Sequence, residues 1–138
     1  MKRTKPGMSP FWDCIGMRET VMKEGYAEIE IDITSNLHQR RGTVHGGVLA
    51  SLIDASIGSA VRSTLQGDQA SATVEMKINY FRPAYAERLT AKAKLNHRGK
   101  TLAVGTAEII DPNGKVVAAG SATYMILSPQ AASKRENK

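Results

Sequence analysis

The chain is short of the residues that most often carry redox or metal chemistry. It has one cysteine, Cys14, in 138 residues, so no intrachain disulfide can form, and neither a cysteine-built metal site nor a secreted disulfide scaffold is available. Aromatics make up 5% of the sequence, which leaves no stacking set for nucleic acid. No stretch approaches the roughly 20 apolar residues of a membrane span. Pro6, Pro10 and Asp13 interrupt the N-terminus before the apolar core of a secretory leader could begin. These absences point to a cytoplasmic protein whose partners are neither nucleic acid nor membrane.

What is present is an ordinary globular composition, 41% hydrophobic and 23% charged, in a length that suits one domain. The expected domain spans residues 1–138, with polar tails at about 1–10 and 129–138. Lys and Arg number 19 against 13 Asp and Glu, for a net charge of +6. The cations are spread over the termini, the turns and one strand, so they carry no specific nucleic-acid signature. They suit a small polyanion such as a nucleotide-bearing ligand.

Hydrophobic periodicity organises the rest. Ala27, Ile29, Ile31 and Ile33 alternate with Glu28, Glu30 and Asp32, which is the pattern of a half-buried strand. The same alternation runs through Ala72, Val74, Met76, Ile78 and Tyr80, and again through Leu89, Ala91, Ala93 and Leu95. Residues 101–110 and 116–127 are strand-prone, and the turns Arg98-Gly99-Lys100 and Asp111-Pro112-Asn113-Gly114 join antiparallel neighbours. Between the first strand and the others, Val48 to Val61 is apolar or small on every face, which predicts a helix buried on most sides and ending near Gly67-Asp68. The expected fold is α+β: a strand, one long buried helix, then four strands in an antiparallel meander, with a short element before Tyr26.

Chemistry concentrates around that helix. His45-Gly46-Gly47 opens it, leaving unobstructed backbone N–H groups at the positive end of the helix dipole, able to polarise an oxygen. Asp54 is the sole charged residue between Gly46 and Val61, and a carboxylate among apolar neighbours must be paired, wetted or functional. His45 fits an orienting or capping role better than proton transfer. Gly46 and Asp54 are eight residues apart, which separates them by about 12 Å along the helix axis at a rise of about 1.5 Å per residue. If both act on one reacting carbon, they come from different subunits of a symmetric dimer with antiparallel helices.

The segment from Gly42 through His45-Gly46-Gly47 to Asp54, followed by Thr73-Val74-Glu75-Met76-Lys77-Ile78-Asn79-Tyr80-Phe81-Arg82-Pro83-Ala84, resembles the phenylacetate-pathway (PaaI-like) branch of the hotdog-fold acyl-CoA thioesterases. The resemblance runs from about Tyr26 to Leu127. It implies a curved antiparallel sheet wrapped around one long central helix, dimers joined edge to edge and often paired into homotetramers, and active sites at the dimer interface. In that family the Gly46 position supplies the N–H that polarises the thioester carbonyl, and the Asp54 position supplies the general base or nucleophile. Gln39 stands where relatives commonly carry the Asn that orients water or carbonyl, with Asn36 nearby, and Thr73 is the hydroxyl that binds the water.

No metal and no cofactor is implied, coenzyme A being part of the substrate. Arg82, Arg98 and Lys100, in or beside turns, are candidates for its phosphates, as are Arg40 and Arg41. Leu49, Ile53, Ile57 and Met76 are candidates to line the acyl pocket, which leaves aromatic and medium-chain esters open. The alternative function is a non-catalytic acyl-CoA-binding hotdog module acting as a ligand sensor, which would have no need of Asp54.

Overall fold

The computed structural model of the protein describes residues 9–128. The tail expected over 129–138, and most of that expected over 1–10, lie outside the described residues, while Pro10 already opens a helix. The elements are α1 (Pro10–Ile15), β1 (Met17–Lys23), β2 (Tyr26–Asp32), a 3-10 turn (Ser35–Leu37), α2 (Gly46–Arg62), β3 (Ala70–Tyr80), β4 (Arg88–Arg98), β5 (Leu102–Ile110) and β6 (Val116–Leu127). One six-stranded sheet runs in the order β1-β2-β4-β5-β6-β3, with every pair antiparallel.

α2 lies on the inner face of this sheet. Leu52, Ile53, Ile57, Ala60 and Val61 are fully buried against the inward positions of the strands, among them Ile29, Ile31, Leu89 and Ile109. Alanines at 27, 91, 93, 107, 118 and 122 keep the concave face shallow, so the helix approaches closely. Gly120 shows how closely: a Cβ there would lie 2.6 Å from the Lys77 carbonyl oxygen and 3.1 Å from the Ile53 side chain. The period-two reading of β2 and β4 is borne out, with Ala27, Ile29, Ile31, Leu89, Ala91 and Ala93 all buried. Both expected hairpin turns form. In the second, Asp111 Oδ1 accepts from the N–H groups of Asn113 and Lys115, and Gly114 takes φ +82°.

Three features differ from the sequence reading. The four later strands are not a simple meander, because only β4-β5-β6 are consecutive neighbours and β3 crosses over to pair with β6 at the sheet edge. β3 is not half-buried in the single chain. Of its alternating side chains Val74, Met76 and Tyr80 are open to solvent, at 54%, 37% and 53% exposed, and Ile78 packs partly against the core. Finally, α2 stops at Arg62, not near Gly67, because the hydroxyls of Ser63 and Thr64 bond back to the Ala60 and Val61 carbonyls and turn the chain.

Candidate active site

The N-terminus of α2 is built by the loop before it. Leu37 is buried, His38 bridges to Val44, and the N–H groups of Val44 and His45 bond to the carbonyls of Ala84 and Leu37. These contacts fix the chain direction at the point where two glycines enter the helix. His45 is the N-cap residue, and its Nδ1 accepts from the Gly47 N–H at 2.8 Å. That acceptance puts the ring proton of a neutral imidazole on Nε2 and makes the histidine the capping group the sequence suggested. The Gly46 N–H, by contrast, meets no acceptor among the described residues, and as a first-turn amide it has no intrahelical partner. On the other side of this glycine, the Tyr80 hydroxyl from β3 bonds the Gly46 carbonyl oxygen at 3.3 Å.

Asp54 sits two turns further along the same unbroken helix, half-buried and facing a groove of about 470 Å³ between α2, the start of β3 and Trp12 of α1. Thr73 of β3 donates to Asp54 Oδ1 at 2.9 Å. Thus the structure joins two of the predicted residues directly. A third member was missed by sequence reasoning. Tyr124 of β6, 4% exposed, places its hydroxyl 2.6 Å from the Asp54 carbonyl oxygen and in hydrogen-bond contact with Oδ1. Burial, reinforced by the neighbouring carboxylate, pushes the Tyr124 hydroxyl well above the ordinary tyrosine range. No local pattern marks it, since it looks like any inward residue of a strand and reaches Asp54 only through the folded sheet.

The remaining candidates divide. Gln39 spends its amide inside its own loop: the amide nitrogen donates to the Thr43 hydroxyl at 2.5 Å and the amide oxygen accepts from the Arg41 N–H at 3.1 Å. Asn36 is contacted by the Thr34 hydroxyl and lines a second groove of about 240 Å³ beside His45 and Gly47. Arg98 is not a free phosphate ligand. Its guanidinium donates to Thr64 Oγ1, the Thr64 and Gly99 carbonyls and Gln69 Oε1, tying the end of β4 to the chain leaving α2. Lys100 is exposed on the neighbouring turn. Arg82 lies at the opposite end of α2, near Gly46, where it shares an open depression of about 380 Å³ with Tyr85 and Lys115, the latter a cation that the sequence reading had not singled out. The sixteen rises of α2 between these ends amount to about 24 Å, so Arg82 and Arg98 of one chain cannot grip the same phosphate. Leu49, Ile53 and Ile57 are at most 4% exposed beneath the sheet, which corrects their assignment to an acyl pocket; Met76 alone of that set reaches the surface.

Comparisons with known proteins agree with this architecture. The thioesterase superfamily profile matches residues 41–118, a span that holds the α2 N-terminus, Asp54 and Thr73. The acyl-coenzyme A thioesterase PaaI of Escherichia coli is 33% identical over 105 residues, covering 75% of this chain and 73% of that protein. The 1,4-dihydroxy-2-naphthoyl-CoA hydrolase of Listeria monocytogenes is 28% identical over 116 residues, or 83% of this chain and 93% of that one. A solved structure of a conserved Pseudomonas aeruginosa protein superposes with a TM-score of 0.82 at 33% identity, covering 86% of this chain and 94% of its own. No helix among the described residues is long and apolar enough to cross a membrane. With its long helix cradled by an antiparallel sheet and its matching sequence core, this chain belongs to the thioesterase superfamily, as a PaaI-like hotdog-fold thioester hydrolase.

Proposed function

We propose that the protein hydrolyses an aromatic or medium-chain acyl-CoA to the free acid and coenzyme A, in a site shared by two subunits. The observation that carries this reading is one helix bearing two unlike and separated functions. The unpaired Gly46 N–H stands at its positive end, and the anchored Asp54 carboxylate lies about 12 Å along it. Neither reaches the other's reacting atom within one chain. Antiparallel pairing of two β3 edges across the Met76–Lys77 stretch brings the Asp54 of one subunit toward the partner's Gly46. β3 has the features of such an edge: one neighbour only, and Val74, Met76, Tyr80 and Phe81 exposed along it.

In this site the Gly46 N–H polarises the thioester carbonyl and stabilises the oxyanion that forms on it. Asp54 either takes a proton from the attacking water or attacks the carbonyl carbon itself through an anhydride that water then opens. In both routes a carbon–oxygen bond replaces the carbon–sulfur bond, and the departing thiolate gains a proton from solvent. Thr73 holds the carboxylate, His45 holds the glycine loop in place, and Gln39 acts by shaping that loop through Thr43. The groove beside Asp54, with Ala55, Gly58 and Leu65 in its wall, takes the acyl group. Arg82 and Lys115 face the nucleotide phosphates.

The test is steady-state thiol release from phenylacetyl-, benzoyl-, hexanoyl- and octanoyl-CoA by the parent and by Asp54→Asn. A loss of at least about 100-fold, with fold and oligomer unchanged, is the expected result for a lost base or nucleophile. Equal turnover in the two proteins refutes the assignment. Single turnover in oxygen-18 water tests the anhydride route: label in the Asp54 carboxylate, which arises when water opens the anhydride at the aspartyl carbon, rules out direct attack by water.

A further inference from the structure

The reading of Asp54 as the reacting carboxylate leaves open which of its oxygens acts and what aims it. Two donors converge on Oδ1: the Thr73 hydroxyl at 2.9 Å and the Tyr124 hydroxyl. They sit directly across from one another in the β3–β6 ladder, and the β3 register slips just after Thr73, between Thr73 and Glu75. No described residue donates to Oδ2. We propose that Tyr124 is a positioning residue for the thioester hydrolysis: together with Thr73 it clamps Oδ1 of Asp54, so that Oδ2 alone meets the water or the thioester carbon. This inference rests on the catalytic reading of Asp54 and adds to it a buried residue that acts through the carboxylate and not on the reacting atoms.

The room for this contact is built in. Tyr124 comes up from the sheet beneath α2, and the helix residue over its hydroxyl is Gly58, where a Cβ would lie 3.1 Å from the phenol oxygen. Any larger residue at 58 presses on the hydroxyl. The hydroxyl is also 2.6 Å from the Asp54 carbonyl oxygen, so its single proton has two acceptors on the same residue. It donates to Oδ1 while the carboxylate is charged, and can turn to the carbonyl when Asp54 carries a proton or an acyl group. In neither state is a buried donor stranded. A phenol held neutral by burial remains a donor throughout the working pH range. Of the residues lining the groove into which Asp54 faces, Arg62 is the other charged one, and it is engaged by Glu19 of β1; Tyr124 of β6 is the remaining titratable group of that lining.

The experiment compares parent, Tyr124→Phe, Asp54→Asn and the double variant on phenylacetyl-CoA and hexanoyl-CoA. Tyr124→Phe keeps the ring and removes the donor. Expected are a kcat lower by about tenfold with KM within about twofold, and an acid limb of the kcat–pH profile moved up by about one pH unit, because a hydrogen bond to the charged carboxylate is gone. Since the residue works through Asp54, Tyr124→Phe costs nothing further in the Asp54→Asn background. Gly58→Ala displaces the hydroxyl without deleting it and gives a partial loss in the same direction. If Tyr124→Phe does not fold, Thr73→Val at the exposed edge reports on the same clamp through the same movement of the acid limb. An unmoved acid limb, or an equal fold-loss with and without the Asp54 carboxylate, overturns the inference while leaving Asp54 catalytic. Full activity in Asp54→Asn overturns both.

Discussion

Gly46→Pro is the sharpest perturbation of the proposed site, because the structure makes it a nearly pure deletion of one N–H. Gly46 is the first residue of α2, the helix position where proline is favoured and its missing donor breaks no helical bond. The preceding residue must then be extended, and His45 already is, at φ −62° and ψ 136°. A Cβ at 46 would lie 3.6 Å from the Tyr80 ring, an ordinary contact. The fold should therefore survive, with stability within about 1 kcal/mol of the parent. The polarising donor is lost, which costs about 100- to 1,000-fold in kcat. Co-expression with Asp54→Asn tests the shared site. A mixed dimer carries one site with both lesions and one with neither, and random pairing makes half of the dimers mixed, so about one quarter of parent activity returns. No activity from the co-expressed pair, with mixed dimers present, would place each Gly46 with its own chain's Asp54 and refute the dimer argument. A Gly46→Pro protein with full turnover refutes the role of the N–H itself.

The other predictions separate support from chemistry. Arg98→Ala removes four hydrogen bonds at the end of β4; it lowers unfolding free energy by about 1–3 kcal/mol in urea titrations and leaves KM for acyl-CoA unchanged. Arg82→Ala does the reverse, raising KM severalfold at low salt with kcat and melting temperature kept, and the difference shrinks at high ionic strength. Gly120→Ala drives a Cβ toward the Lys77 carbonyl and costs about 1–3 kcal/mol by overpacking, read as a fall in the denaturation midpoint. Hydrogen bonds from Arg18 and Arg88 hold the Asp32 carboxyl below the usual aspartate range. Its folded pKa is depressed, so its contribution is complete above the unfolded value of about 3.9 and is lost as pH falls through the folded one. Urea midpoints measured between pH 2 and 5 should therefore fall less steeply in Asp32→Asn than in the parent.

What could be read from the sequence was what neighbouring residues encode. Alternation in β2 and β4 marks the face toward α2 because each side chain's burial follows from its own strand, and Asp-Pro-Asn-Gly and Arg-Gly-Lys mark turns through the backbone conformations they allow. The His-Gly-Gly entry to α2 and the isolated Asp54 stood out for the same reason, since each is anomalous against its immediate surroundings. Arg98 shows the limit. Its residue type fits a phosphate ligand, yet which carbonyls surround a guanidinium depends on where the loop after α2 lands. Leu49, Ile53 and Ile57 were misassigned similarly, because an apolar residue on a helix buried nearly all round does not reveal which side carries the ligand.

β3 and Tyr124 fail for a deeper reason, and the two failures meet at Asp54. The alternation of β3 asks for a covering surface, but in the single chain Val74, Met76 and Tyr80 face solvent and its one neighbour is β6, far ahead in sequence. Tyr124 lies 70 residues from the aspartate it contacts. Both are consequences of the same crossover, which lays β3 beside β6 and so sets Thr73 opposite Tyr124, one at the open edge and one in the core. A continuous meander would pair β3 with β4 and leave Tyr124 without that neighbour. The topology that local signals could not supply is therefore what assembles the carboxylate's two donors, and it also leaves the strand carrying one of them exposed along its outer edge.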